Sequence, residues 1–333
     1  MIRRARLTDI ALIRKMAENA VWLDCESKHI QGPQEAKHIV AEAFGLLDTA
    51  ETVVWCREGT QATGFAQFVS SGPGAVARVS CLGLRQEDSW LRPAASMLES
   101  LVIQAGFAGL KIITAEVNEN ENAFKALRKA GFVVYARQAV YAAKDIGRKN
   151  NIKHKANISV TKNQTEDRAE THKLYNSIVP DLAKQTEEAP SNKDASYVIR
   201  NNGVIVGMFI VSEGPIGIWI KPYLYPEVCN EVGECLSEFV VSATHRHKKP
   251  TYVRARSYQP WLGGVLKDAG FSLLSTQAVV AKRTTARVAD HELVPISKLV
   301  TSDSDTAVPV VKINTQNSLF SKQNERPFET RNL

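Results

Sequence analysis

The sequence contains no apolar run near the roughly 20 residues needed to cross a bilayer, so no membrane protein is expected. Cysteine is scarce, five in 333 residues. Cys25, Cys56, Cys81, Cys229 and Cys235 form no close pair and leave an odd one over. That argues against a disulfide framework or a four-ligand zinc site and suits a reduced, cytoplasmic interior. The histidines of "HRH" at 245–247 could hold a metal only with distant partners, and the stretch reads as a solvated loop before Pro250. No metal is expected. Dense charge of one sign is also missing: the formal +7 is scattered, apart from "GRKNNIKHK" at 147–155, which reads as a solvated linker. A nucleic-acid footprint would need a tighter patch with interleaved aromatics, whereas scattered charge suits a small anionic ligand equally well. The N-terminal "MIRRARLTDIALIRKMAENA" is Arg-rich, but Asp9 and Glu18 interrupt it, and it reads as a strand and a helix rather than a transit peptide.

What is present is a line written twice. "LRKAGFVVYARQAVYA" at 127–142 aligns without a gap to "LKDAGFSLLSTQAVVA" at 266–281, keeping Leu127/Leu266, Gly131/Gly270, Phe132/Phe271, Gln138/Gln277 and Val140/Val279. The match is too long for a shared turn, so a duplicated unit is the first hypothesis. The flanking order supports it. Each half reads as strand, helix, hairpin, strand, helix, strand, helix, strand. In the first half these include a helix over "PQEAKHIVAEAFGLL", the strand "AVARVSCLGL", the helix "RPAASMLESLVIQAGFAGL", the strand "KIITAEV" and the helix "NAFKALRKAG", with Gly131 at its C′ position. In the second they include the hairpin "ASYVIRNNGVIVGMFIVSEGP" turning at Asn-Gly, the strand "IGIWIKP", the helix "PEVCNEVGECLSEFVVSATH" and the strand "TYVRARS". The expected architecture is therefore α+β: one domain over 1–145, a linker over 146–156, a second domain over 157–285, and a polar tail over 286–333 that reads as disordered, with or without a protein partner.

The run "VNENENAFKALRKAGF", in this order of elements, resembles the GNAT superfamily of acyl-CoA-dependent N-acyltransferases, well over 1–145 and more weakly over 157–285. The resemblance implies two tandem domains, each a mixed, mostly antiparallel sheet flanked by helices. It implies that Asn120, at the family's spacing before Gly131-Phe132, helps bind the cofactor arm; as an alternative, Asn120 caps its helix. It also places the phosphate loop at "SWLRPA", 89–94, where backbone N–H groups at a helix start would cradle a pyrophosphate. Only Ala94 conforms there; Pro93 removes a donor, while Arg92 can offer a charge-assisted contact. The implied set for acetyl-CoA, or another acyl-CoA, is Leu82, Leu84, Arg92, Ala94, Ala95 and Asn120. In the second copy Glu227, Glu231 and Glu234 would repel a pyrophosphate, which makes that copy degenerate.

The family's usual tyrosine donor is replaced by Leu127 and Leu266, and Glu116 is the nearest candidate base, set against its being a plain exposed strand glutamate. Two readings stay open. In one the chain is an N-acyltransferase, moving an acetyl group to an unknown amine; in the other it is a catalytically inactive binding or structural module of the same fold.

Overall fold

The computed structural model describes residues 1–32, 50–56, 62–71, 76–85, 90–143, 158–190, 195–228, 239–240 and 249–284. The helix over "PQEAKHIVAEAFGLL", the linker, the tail, "HRH", Cys229, Cys235 and most of the helix "PEVCNEVGECLSEFVVSATH" lie outside the described residues.

In the first half, β1 (Ile2–Arg4) leads into a 3-10 turn (Leu7–Asp9) and α1 (Ile10–Ala17). A two-residue strand β2 (Val21–Trp22) and a short helix α2 (Cys25–Ile30) follow. Neither was expected. Asp24 starts α2, its carboxylate accepting from the Ser27 backbone N–H at 3.1 Å and the Ser27 hydroxyl at 3.0 Å. Then come β3 (Ala50–Cys56), β4 (Ala62–Val69), β5 (Ala77–Leu84), α3 (Leu91–Phe107), β6 (Ile112–Val117), α4 (Asn122–Lys129) and β7 (Val133–Ala143). The second half runs β8 (Ile158–Lys162), α5 (Arg168–Ile178), α6 (Asp181–Thr186), β9 (Ala195–Asn201), β10 (Val204–Glu213), β11 (Ile218–Leu224), β12 (Thr251–Arg256), α7 (Leu262–Asp268) and β13 (Ser272–Arg283).

Among the described residues thirteen strands make one sheet, in the order β1-β3-β4-β5-β6-β13-β7-β12-β11-β10-β9-β8, with β2 attached to β5. Pairing is antiparallel except for β5 with β6 and β11 with β12. Alternation along the strands gives each face its own core. Val53 and Ala66 pack with α3 residues Leu98 and Leu101, while Val54 and Phe65 pack with Ile13 of α1.

The last strand of each half is exchanged. β13 lies beside β6 of the first half, and β7 lies beside β12 of the second. The two then pair with each other antiparallel, Gln138 opposite Gln277. These glutamines occupy equivalent places in the repeated line, and Gln138 Nε2 donates to Gln277 Oε1 at 2.7 Å. Each copy of that line begins with the same helix end. Gly131 and Gly270 have φ of +85° and +93°, and the next N–H reaches back to Leu127 in one copy and Leu266 in the other. That is a Schellman closure, and only glycine enters its left-handed position freely. Phe132 and Phe271 are thereby dropped into their cores, 1% and 4% exposed.

α2 belongs to the first half but packs on the second. Cys25 and Ile30 join Trp219 of β11 in one cluster, and His29 lies 4.5 Å from the Tyr252 ring. At this junction a Cβ on Gly214 would stand 2.3 Å from the Ile30 carbonyl oxygen. Backbone cannot yield as a side-chain tip does, so Gly214→Ala should cost about 1–3 kcal/mol, read as a lowered urea midpoint. Gly203→Ala, whose added carbon meets nothing within 4 Å, supplies the contrast, with only the strain of its φ of +83°. A loss at Gly214 no larger than that at Gly203 would show that the α2 contact yields to the added carbon.

Candidate functional site

Parallel strands β5 and β6 are paired only at Ala77↔Ile113 and Arg78↔Thr114, then diverge. A gap opens between them toward Leu84 and Val117. Residues 21–23 fill it: Val21 pairs with Leu82 and Trp22 with Cys81, Leu23 N–H donates to the Ser80 carbonyl at 2.9 Å, and Glu116 N–H donates to the Leu23 carbonyl at 2.7 Å. Main chain thus bridges both lips.

The second half has the same gap, since β11 and β12 pair only from Ile218↔Thr251 to Ile220↔Val253. There a side chain does the bridging. Gln259, 2% exposed, accepts from Leu224 N–H at 3.3 Å and donates through Nε2 to the Pro222 carbonyl at 3.0 Å. Carried back without a gap, the register of the repeated line puts Gln259 opposite Asn120.

The residues expected to hold acyl-CoA fall into three places. Leu82, Ala94 and Ala95 are 1%, 0% and 2% exposed and join one core cluster, so only their backbone could meet a ligand, and that of Leu82 is paired with Val21 on one side and Ala66 on the other. Leu84 packs against the same cluster, and Arg92 is exposed at the start of α3. Asn120 lines a separate cavity of about 480 Å³ with Gln138, Tyr141, Ser257 and Gly263. Its N–H donates to the Asn118 side chain at 2.9 Å, and Glu121, not Asn120, stands at the N-cap of α4. With residues 21–23 seated, this set does not fit an acyl-CoA arm along β5.

Glu116 is not an exposed strand glutamate. Its side chain is 16% exposed, its Oε2 accepts from Cys25 N–H at 3.1 Å, and its Oε1 meets Arg256 Nη2 at 3.3 Å. It lines a cavity of about 1160 Å³ bounded by α2, α5, the segment after α6 and the central strands. The cavity holds an ion-pair network that composition does not show. Arg254 and Arg256, two apart on β12 and therefore on one face, both meet Glu187, at 3.4 and 3.2 Å. Tyr135 donates its hydroxyl to the same carboxylate at 3.2 Å. Burial works to raise the Glu187 pKa, but Arg256 and Arg254 outweigh it and hold the carboxyl below its ordinary value. Their own burial works against the charge of Arg254 and Arg256, yet Glu187 keeps both above the usual arginine value.

On α2, Glu26 meets Lys221 of β11 at 2.5 Å. Burial opposes ionisation there, and Lys221 with Arg78 overcomes it, bringing Glu26 from about 4.5 down to about 2. Because the folded value is lowered, the stabilisation is complete above about pH 4.5 and lost as pH falls toward 2; it is on the order of 3 kcal/mol. Lys221→Met should lower stability at pH 6 and flatten its slope across that window in urea titrations. An unchanged slope would mean that the pair contributes nothing.

No family model and no curated protein matches the sequence. Solved structures do match in fold. A GCN5-related N-acetyltransferase from Sphaerobacter thermophilus superposes with a TM-score of 0.57 at 12% identity, over 85% of this chain and 95% of that one. A tandem GNAT protein from the clavulanic acid biosynthesis pathway, in a structure without AcCoA, superposes at 0.54 and 12% identity, over 86% and 99%. The chain therefore has the GNAT superfamily fold, α+β with a mixed sheet flanked by helices, as the sequence led us to expect. Among the described residues no helix is long and apolar enough to cross a membrane.

Proposed function

We propose that the protein is a ligand-binding member of the GNAT fold, composed of two copies over 1–145 and 157–285, that takes a small polar molecule in the cavity between them and transfers no acyl group in its closed arrangement. The observation that carries this is the seating of residues 21–23 across the gap between β5 and β6. Gln259 gives the equivalent gap of the second copy the same character. Cys25 and Cys56, which form no disulfide among the described residues, suit a cytoplasmic setting.

The test is calorimetric titration of the full chain with acetyl-CoA. Up to about 1 mM no saturable heat is expected, since a competing ligand must first displace the strand. Micromolar binding weakened by both Asn120→Ala and Arg92→Glu would overturn the reading.

One observation favours the second reading, N-acetyl transfer to an amine. Glu116 is bonded to the C-terminal end of the plug, its N–H to the Leu23 carbonyl and its carboxylate to Cys25 N–H. Unseating residues 21–25 would leave that carboxylate with Arg256 alone among the described residues, placed to act as a base at the cavity. In that case Leu23→Pro, which removes the donor to Ser80, should permit acetyl-CoA binding that the unaltered chain lacks.

A further inference from the structure

We infer that the cavity between the halves binds a small dipolar molecule carrying both a carboxylate and a protonated amine. The inference rests on the ligand-binding reading above and adds the ligand's chemistry.

Two buried atoms of opposite hydrogen-bonding sense carry it. Arg256 is 4% exposed and lines the cavity. Its Nη1 donates to Gln138 at 2.8 Å and its Nη2 meets Glu116 and Glu187, but its Nε–H has no acceptor among the described residues. Asn163 lines the same cavity. Its Nδ2 donates to the Ser196 hydroxyl at 3.0 Å, while its Oδ1 is buried without a donor among the described residues. A buried donor left unmade costs about 1–3 kcal/mol, and so does a buried acceptor. Neither atom opens to the cavity as the side chains stand; a ligand that turns both side chains toward it, offering an acceptor to Arg256 and an N–H to Asn163, satisfies both at once.

The charge of the walls sets the ligand's own. Asp24, Glu26, Glu116, Glu187 and Glu188 face Arg78, Arg168, Lys221, Arg254 and Arg256, a formal balance of five against five. Most are already paired: Asp24 with Arg78, Glu26 with Lys221, Glu187 with both central arginines, and Glu116 with Arg256. A ligand of net charge would leave one ion uncompensated in a partly enclosed site, which is costly. A dipolar ligand adds none. Its carboxylate belongs at Arg256 and its ammonium toward Asn163.

The test uses glycine, diglycine, triglycine and tetraglycine, zwitterions of increasing span, titrated calorimetrically into the full chain. One or more should bind with Kd of about 1 mM or tighter. Blocking either end of the best binder, as its N-acetyl or its amide derivative, should weaken it about tenfold or more. Arg256→Lys should do the same, and Asn163→Leu, at a less buried site, keeps the question open to test should Arg256→Lys fail to fold. Absence of binding by all four peptides at about 10 mM, or equal binding of the blocked forms, overturns the inference. Failure here together with silence toward acetyl-CoA leaves the closed-gap reading intact; micromolar acetyl-CoA binding that Asn120→Ala and Arg92→Glu both weaken sinks that reading whatever the peptides do.

Discussion

Glu187→Gln should be the most damaging single substitution in the cavity, at about 3–5 kcal/mol. Glutamine keeps the shape and can still accept from Tyr135, but it leaves Arg254 and Arg256 buried with one carboxylate, Glu116, between them. Arginine cannot shed its proton to escape, so the cost appears as lost stability rather than as a change of protonation. For a chain of this size the midpoint of thermal unfolding should fall by on the order of 10 °C. Adding Arg254→Met should recover part of the loss, because the second guanidinium no longer needs a counter-charge. A drop no larger than that of an exposed control such as Glu166→Gln would show that the network is solvated and weak.

Residues 1–143 expressed alone should not fold as a monomer. In the whole chain the partner of β6 is β13, whose Ala278, Val279 and Val280 are 0%, 1% and 0% exposed. Removing it strips the core over α3 and α4 and leaves β6 as an open edge. β7 has the same difficulty, since both its neighbours, β12 and β13, lie in the other half. Circular dichroism and sizing of the fragment should show loss of the cooperative transition, or a dimer exchanging β7 between copies. Co-expression with residues 158–287 should restore the full-length transition. A folded monomer of 1–143 would mean that β7 can pair with β6 directly and that the exchange is incidental.

Much of this fold is legible in the sequence, because period-2 strands, the Asn-Gly hairpin and the two helix ends closed by glycine are all local signals. Gly131-Phe132 and Gly270-Phe271 give away the repeat. The exchange of β7 and β13 is not legible, since either strand could satisfy the same alternation on either side. β2 is not legible for a related reason: two residues have no period, and Val21 and Trp22 become a strand only because β5 offers an unpaired edge. The candidate base shows what sequence carries and what it omits. Glu116 can be picked out by type and strand, but its partners Cys25 and Arg256 are 91 and 140 residues away. The pair Arg254 and Arg256 did leave a trace in "TYVRARS", where two cations at strand spacing share one face of an otherwise apolar stretch. Gln259 left one too, for the repeated line extended backward sets it against Asn120.

The two gaps, one closed by main chain and one by a glutamine amide, also bear on how such a molecule can change. Two identical subunits swapping their last strands would have to alter both sites at once, because every replacement in a homodimer is made twice. Here the halves share a chain and need not match. A mutation that reopens the gap at Leu82 leaves the one at Gln259 shut, and the reverse holds as well. Selection can therefore reshape one mouth while the other, still braced by its exchanged strand, keeps the sheet whole.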